Sequence, residues 1–294
     1  MKMEKDFRKV GIIAKHGIAP RADSVRVMVD ELKKYTKELV YDEYTAPIFH
    51  AGKGLSKSDI LKKCDLVVTI GGDGTLLKTA RKLHKGKDTP IVSVHMGTRG
   101  FLTECIPSQF ARVIKSIFKG EYCEDSRSLL RVTVYRNNRK YFTSLALNDA
   151  VINQGGFSRL IHLRVEVNKR KLTTYISDGL IISTPTGSTG HALAASGPIV
   201  HPKLEGIVLV PICPINLSAR PIIIPNNRQF TVKLETEWRE QKKPIVLTID
   251  GQQTINLKLG DIIRVRKSSR TFTLLRVKGH NYYRMLRHKL GWSD

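Results

Sequence analysis

Gly71, Gly72, Asp73, Gly74 and Thr75 follow directly on the apolar run DLVVTI (65–70) and precede LLKTARKLHK. Glycines let the backbone approach a bulky anion, and the free N–H groups at a following helix start can hold phosphate oxygens. Asp73 would then stand at the carboxyl end of a parallel strand, where open α/β sheets bind their ligands. A tight turn alone would also explain the glycines. The segment matches neither GxxxxGK[ST] nor GxGxxG, so it is not one of the common phosphate loops.

A second segment runs Ser177, Asp178, Gly179, LIIST, Pro185, Thr186, Gly187, Ser188, Thr189, Gly190, His191. It reads as a strand, a hydroxyl-rich glycine turn and a helix from about Ser188. The small residues Ala192, Ala194, Ala195, Ser196 and Gly197 permit close approach. Hydroxyls and unpaired N–H groups at such a start suit a ribose or a pyrophosphate, although an ordinary helix cap needs the same residues. In a third segment Asn148 and Asp149 stand side by side at a strand end. An amide can pair with an adenine edge through donor and acceptor together, and a carboxylate can accept from ribose hydroxyls.

The elements that must position these groups change character along the chain. VGIIA (10–14), SVRVMVDELKKYTKEL (24–39), DLVVTI and IVSVH (91–95) alternate strand and helix signals, the pattern of a parallel sheet with crossover helices. Val25, Met28, Val29, Leu32 and Leu39 recur at helical spacing and mark one buried face. Pro107 opens another amphipathic stretch in which Phe110, Val113, Ile114, Ile117 and Phe118 share a side. From about residue 129 short alternating runs take over: LLRVTVYR, YFTSLAL, LRVEV, FTVKL, IVLTI, IIRVR and FTLLRV. They predict a sheet pair of sandwich type, interrupted by one helical pattern at 188–196. YYRMLRHKLGW near the end fits a helix or a strand. The expected architecture is an N-terminal α/β domain with a Rossmann-like parallel sheet and an all-β, sandwich-like C-terminal domain. The boundaries expected are 1–106, completed by 278–294, and 107–277.

Composition excludes several classes. Among 294 residues, 41% hydrophobic content fills a core, yet no apolar run reaches the roughly 18 to 20 residues that span a bilayer. The start, MKMEKDFRKVGIIAKHG, has a short apolar run and no small-residue cleavage site after it, so export is not expected. Cys64, Cys105, Cys123 and Cys213 form no CxxC pair, which argues against zinc or a disulfide framework and fits a cytoplasmic protein. Fifty Lys and Arg against 26 Asp and Glu give a net charge of +24, which attracts anions. The basic residues are spread along the chain without interleaved aromatics, so a solvated basic surface is expected rather than nucleic-acid binding.

The three segments in this order resemble the NAD kinase family. The resemblance continues through MGTRGFLTE (96–104), SGPIVHP (196–202), SARPIIIP (218–225), IDGQ (249–252) and HKLGW, and so covers nearly the whole chain. It implies transfer of a phosphoryl group from ATP, or another triphosphate or polyphosphate, to the 2′-hydroxyl of the adenosine ribose of NAD. A divalent metal, Mg²⁺, and a homo-oligomer, dimer or tetramer, are implied with it. It makes Asp73 the catalytic residue and Gly74 its neighbour on NAD. Asn148, Asp149, Asp178, the turn Thr189, Gly190, His191, Ala192, Leu193 and Ala194, and Gln252 would complete the dinucleotide pocket. Phe101 would wall the adenine side, and Lys78 and Arg159 would add ligand contacts. Gly190 and His191 stand where many relatives have Ala and then Tyr, so here an imidazole would have to stack or hydrogen-bond in place of a phenol ring. A lipid or sphingoid kinase shares the GGDGT turn but should lack the other two segments, and a non-catalytic RNA-binding protein would not need an Asp inside a glycine loop.

Overall fold

The computed structural model describes residues 6–97, 100–154, 160–235, 244–279 and 281–292. The chain divides into two compact units, one formed by Met1–Ser126 with Phe272–Asp294, the other by Arg127–Thr271.

In the first unit four strands, β1 (Lys9–Ala14), β2 (Glu38–Tyr41), β3 (Leu66–Gly71) and β4 (Ile91–His95), pair in parallel in the order β2-β1-β3-β4. Every residue of β3 is buried, as a parallel strand covered on both faces requires. Helix α1 (Ala22–Lys33) turns Val25, Met28, Val29 and Leu32 onto one face of the sheet. Helix α2 (Lys57–Lys63), whose first turn Ser56 caps by accepting the Asp59 N–H, meets the opposite face beside Gly11. Helix α3 (Asp73–Ala80) starts immediately after the glycine turn.

The helix expected over 24–39 stops at Lys33. Thr36 leaves it by donating its hydroxyl to the Arg8 carbonyl, and the run ELVY pairs as β2, with Leu39 opposite Val10. Helix α4 (Phe110–Phe118) buries Phe110, Val113, Ile114 and Ile117 in the same cluster as Val92 and Val94. That shared core is why the first unit runs to Ser126 rather than ending at 106.

The second unit contains β6 (Arg139–Ala146), β7 (Asp149–Gln154), β8 (Ile161–Val167), β9 (Arg170–Ser177), β10 (Gly179–Ser183), β11 (Gly206–Ile212), β12 (Ile222–Pro225), β13 (Phe230–Leu234), β14 (Ile245–Ile249) and β15 (Gln253–Asn256). Two longer strands, β5 (Tyr122–Arg136) and β16 (Ile262–Val277), have most of their length in this unit and the rest in the first. One antiparallel sheet has the order β12-β11-β10-β7-β14-β15. Within the unit, the other joins β16, β13, β8 and β9 in antiparallel sequence, with the β5-β6 hairpin. Their inner faces close one core, Ile152, Leu180 and Leu247 from one sheet with Leu163, Val232 and Val265 from the other. IIRVR and FTLLRV prove to be one strand, β16, whose end returns to the first unit and places Leu274 beside Ile91 of β4. The closing stretch is helix α6 (Tyr282–Leu290), begun by Asn281 accepting the Arg284 N–H and ended by Gly291 at φ 65°.

The helix expected at 188–196 contracts to a 3₁₀ turn at Thr186–Thr189 and a single turn, α5 (His191–Ala194). The hydroxyls of Ser188 and Thr189 donate back to the Pro185 and Thr186 carbonyls, and Gly190 at ψ −129° breaks the spiral between the two pieces.

Gly11 is the tightest approach between sheet and α2: a Cβ there would stand 2.2 Å from Cγ2 of the β-branched Ile60. Gly11→Val is therefore expected to cost about 1 to 3 kcal/mol by overpacking. Chemical denaturation measures it, and an unchanged midpoint would mean that α2 does not bear on β1.

Candidate active site

The glycine turn lies where the sequence put it, at the carboxyl end of β3. Gly71 pairs with His95 at the end of β4, and its carbonyl accepts the Met96 N–H at 3.1 Å. Asp73 is the first residue of α3. Its Oδ2 accepts the Phe101 N–H at 3.0 Å and its Oδ1 the Leu102 N–H at 3.3 Å. The loop can come this close only because residue 100 is glycine: a Cβ on Gly100 would fall 2.1 Å from Asp73 Oδ1. Burial pushes the Asp73 carboxyl above its ordinary range, against the pull of the two N–H groups, of the Arg276 charge and, once its ring is protonated, of His95. Each carboxylate oxygen has a second lone-pair site, so Asp73 retains capacity to accept a proton. Phe101 is half-buried beside it, while Gly74 and Lys78 are exposed on α3.

The loop after β4 is anchored from behind. Arg276, only 1% exposed, donates Nη1 to Glu104 Oε2 at 3.0 Å and Nε to Asp125 Oδ2 at 3.2 Å. Glu104 also accepts the Val277 N–H at 3.0 Å, and its own N–H reaches the Ser93 hydroxyl. No sequence motif pointed to this buried pair, because its members are 172 residues apart.

In the second unit the Asn148-Asp149 segment and the hydroxyl-rich turn dock on each other. The Asn148 carbonyl accepts the Thr184 N–H at 2.8 Å and the Ser183 hydroxyl at 3.1 Å, and Thr184 Oγ1 donates to the Leu147 carbonyl. Gly187 is required there, since its Cβ would meet the Asn148 carbonyl oxygen at 2.3 Å. Asp250, which sequence reasoning passed over, locks the segment: its carboxylate accepts the N–H groups of Leu147, Asn148 and Asp149. It sits with φ 49° before Gly251 at φ 63°, in the Asp-Gly turn of the β14-β15 hairpin, and that dipeptide was the available signal.

Asn148, Asp149, Asn153, His191, Thr248 and Asp250 line one pocket of about 350 Å³. The Oδ1 atoms of Asn148 and Asn153 are buried without a hydrogen-bond partner. Asp149 is 4% exposed, and burial together with the Asp250 charge raises its carboxyl to about 7. His191 is exposed at the start of α5, with Thr189 and Gly190 half-buried before it and Leu193 and Ala194 behind. Ala192 is buried in a cluster with Val208 and Val210, so its side chain packs against the sheet. Asp178 lies by the other end of β7, where Oδ1 accepts the Gln154 amide, and it does not line this pocket. Gln252 is exposed just past the Asp-Gly turn. Arg159 lies outside the described residues.

A parallel α/β unit ending in a carboxylate-bearing glycine turn, together with a two-sheet β unit, defines a class by its fold. Yeast NADH kinase complexed with NADH shares that fold at a TM-score of 0.87 and 23% identity, covering 98% of this chain and 89% of that one. An NAD kinase from Archaeoglobus fulgidus in complex with ATP shares it at 0.72 and 24% identity, covering 97% and 100%. The family model for the ATP-NAD kinase N-terminal domain matches residues 23–122, and that for the C-terminal domain matches 147–277. An NAD kinase of Geobacter metallireducens is 42% identical over 246 residues, 83% of this chain and 85% of that protein. One of Azoarcus sp. is 37% identical over 294 residues, 99% and 98%. The chain belongs to the NAD kinase family, and its enzyme class is accordingly that of the phosphotransferases. Among the described residues no helix is long and apolar enough to cross a membrane.

Asp149 ties the pocket to stability. A carboxyl raised from 3.8 to about 7 binds its proton more tightly in the fold than in the unfolded chain. The fold therefore loses stability as pH climbs through that window, and the loss is complete above it. Asp149→Asn, uncharged and of equal size, should remove this slope. Its melting temperature relative to the unsubstituted protein should rise between about pH 5 and about pH 8. Parallel melting curves would mean that Asp149 ionises normally in the fold.

Proposed function

We propose that the protein transfers the γ-phosphoryl group of ATP to the 2′-hydroxyl of the adenosine ribose of NAD, with Asp73 as proton acceptor. The observation that carries this reading is the Asp73 carboxylate, half-buried at the end of β3, oriented by two backbone N–H groups and raised in proton affinity. As the bond from the 2′-oxygen to the γ-phosphorus forms and the bond to the β-phosphate oxygen breaks, the hydroxyl proton passes to Asp73 and ADP leaves. Phosphoryl transfer of this kind needs chiefly alignment and charge neutralisation, and a placed acceptor contributes roughly 10² to 10⁴ in rate.

Binding falls to other residues. The unpartnered Asn148 Oδ1 suits a donor on the dinucleotide, and Asp149 suits its ribose hydroxyls. His191 at the mouth of the same pocket offers an imidazole face or a ring nitrogen to NAD. Gly74, Lys78, Phe101, Arg159, Asp178, Gln252 and the 189–194 turn are proposed as further contacts. Among the described residues no three His, Cys, Asp or Glu side chains gather into a metal site, so Mg²⁺ is taken to arrive on the triphosphate, with Asp73 as its one candidate protein ligand. A cytoplasmic location and a homo-oligomer, dimer or tetramer, complete the proposal. Matches to both NAD kinase domain models leave the lipid-kinase and RNA-binding alternatives without support.

The purified protein, given NAD, ATP and Mg²⁺, should form NADP, and no product would sink the proposal; polyphosphate in place of ATP tests the second donor. Asp73→Asn should lower turnover at least about a hundredfold while NAD still binds, because it keeps size and one of the two accepted N–H bonds but loses proton acceptance. Near-normal turnover would remove Asp73 from the chemistry, and rescue by raised Mg²⁺ would shift its role to holding metal. Asn148→Ala should weaken NAD binding by about 1 to 3 kcal/mol, measured calorimetrically on the Asp73→Asn background. An unchanged dissociation constant would count against the assignment.

A further inference from the structure

His95 stands beside the glycine turn that carries Asp73 although no motif included it. It closes β4 opposite Gly71, so it reaches the strand end that carries the glycine turn. Its Nδ1 accepts the Gly97 N–H at 2.8 Å, and a neutral ring held that way carries its proton on Nε2. That Nε2 overlooks Gly72: a Cβ on Gly72 would stand 3.2 Å from it. The glycine thus lets the imidazole N–H come close to the turn that leads into Asp73, the first residue of α3.

Two lysines bear on this turn, Lys15 by its packing on Gly71 and Lys289 through the charge it exerts on His95. Lys15 is the first residue past β1, donates its N–H to the Ile70 carbonyl, and has its Cβ 3.1 Å from where a Cβ on Gly71 would stand. Lys289 comes from the last turn of α6. The groups bearing on His95 are these two cations and the Asp73 carboxylate, and burial keeps the ring below the ordinary imidazole value, hence neutral at pH 7. Neither lysine has an ion-pair partner among the described residues. Two unpaired cations and an uncommitted N–H donor, from three separate chain segments, therefore surround a turn whose glycines expose backbone. A chain of phosphates has the charge and the acceptor oxygens to satisfy them.

We propose that His95 Nε2–H, flanked by Lys15 and Lys289, binds the terminal phosphates of the donor and sets the transferring phosphoryl group beside Asp73. The lysines supply charge. The neutral imidazole supplies direction without adding a cation that would lower the proton affinity of Asp73. The ligand is the phosphate chain itself, whether it ends in a nucleoside or continues as inorganic polyphosphate. The assignment to a donor rests on the kinase reading, whereas phosphate binding at this place does not.

Calorimetry on the full-length protein with Mg²⁺, using inorganic triphosphate and ATP in separate titrations, tests it. His95→Phe keeps ring size and loses the N–H, and should weaken both ligands at least about tenfold, with NAD affinity unchanged. His95→Gln, whose amide Nε2 reaches as far as the imidazole Nε2, should recover most of that loss. The Lys15→Gln, Lys289→Gln double variant, altered only in exposed or half-exposed side chains, should weaken triphosphate binding and flatten its salt dependence. The KM for ATP in NADP formation should rise in parallel. Unchanged triphosphate affinity in either His95→Phe or the double lysine variant overturns the proposal, as does a loss seen with ATP alone or an equal loss for NAD. Triphosphate binding without NADP formation by the unsubstituted protein would refute the kinase reading and leave this site standing.

Discussion

A carboxylate taken out of water must be given hydrogen-bond donors or lose its charge, and three turns of this protein are built by meeting that demand with backbone N–H groups. Asp42 collects the N–H groups of Ala14, Tyr44 and Thr45 and pairs with Lys57. Asp73 draws in Phe101 and Leu102, and Asp250 takes three consecutive N–H groups from Leu147 to Asp149. Each fixes the chain at the end of a strand. Asp149 has no such supply, and its carboxyl accordingly rises to about 7. The Asp73 and Asp149 regions therefore differ in kind, one acid positioned by the backbone and another left with unmet demand.

The buried Arg276 and Glu104 add a second layer. A guanidinium that is 1% exposed can be afforded only with good partners, and here it has Glu104 and Asp125. Glu104 belongs to the loop whose N–H groups orient Asp73, and the Arg276 charge also draws down the proton affinity that burial raises there. The proton affinity of the proposed acceptor thus depends on a residue from the far end of the chain.

The motif-bearing turns were legible because their chemistry is local. Glycines at 71, 100 and 187 are demanded by contacts of 2.1 to 2.3 Å that any Cβ would violate, and types of residue report such demands directly. Parallel and antiparallel halves were legible from the switch in hydrophobic period. Helix ends were not: Leu39 fits the helical spacing of α1 yet pairs with Val10, because strand pairing is a tertiary choice that overrides a four-residue pattern. The short α5 was overread since hydroxyls that bond their own backbone look like ordinary cap residues until their partners are known. His95, Asp250 and Arg276 were missed for a common reason. Each acts on a residue distant in sequence, which no local pattern names even where, as at Asp250-Gly251, the turn itself is readable.

The return of β16 to the first unit has a consequence for how the chain is made. The strand residues that stand beside β4, and Leu275 in the core there, are separated from Ile91 by nearly two hundred residues. The N-terminal unit is made first, with the end of β4 already paired to Cys105 but with Ile91 lacking its Leu274 partner and Glu104 its guanidinium until residues 274–276 follow. Completion of the first unit's core, in which Leu275 takes part, is thereby postponed until the second unit has been synthesised.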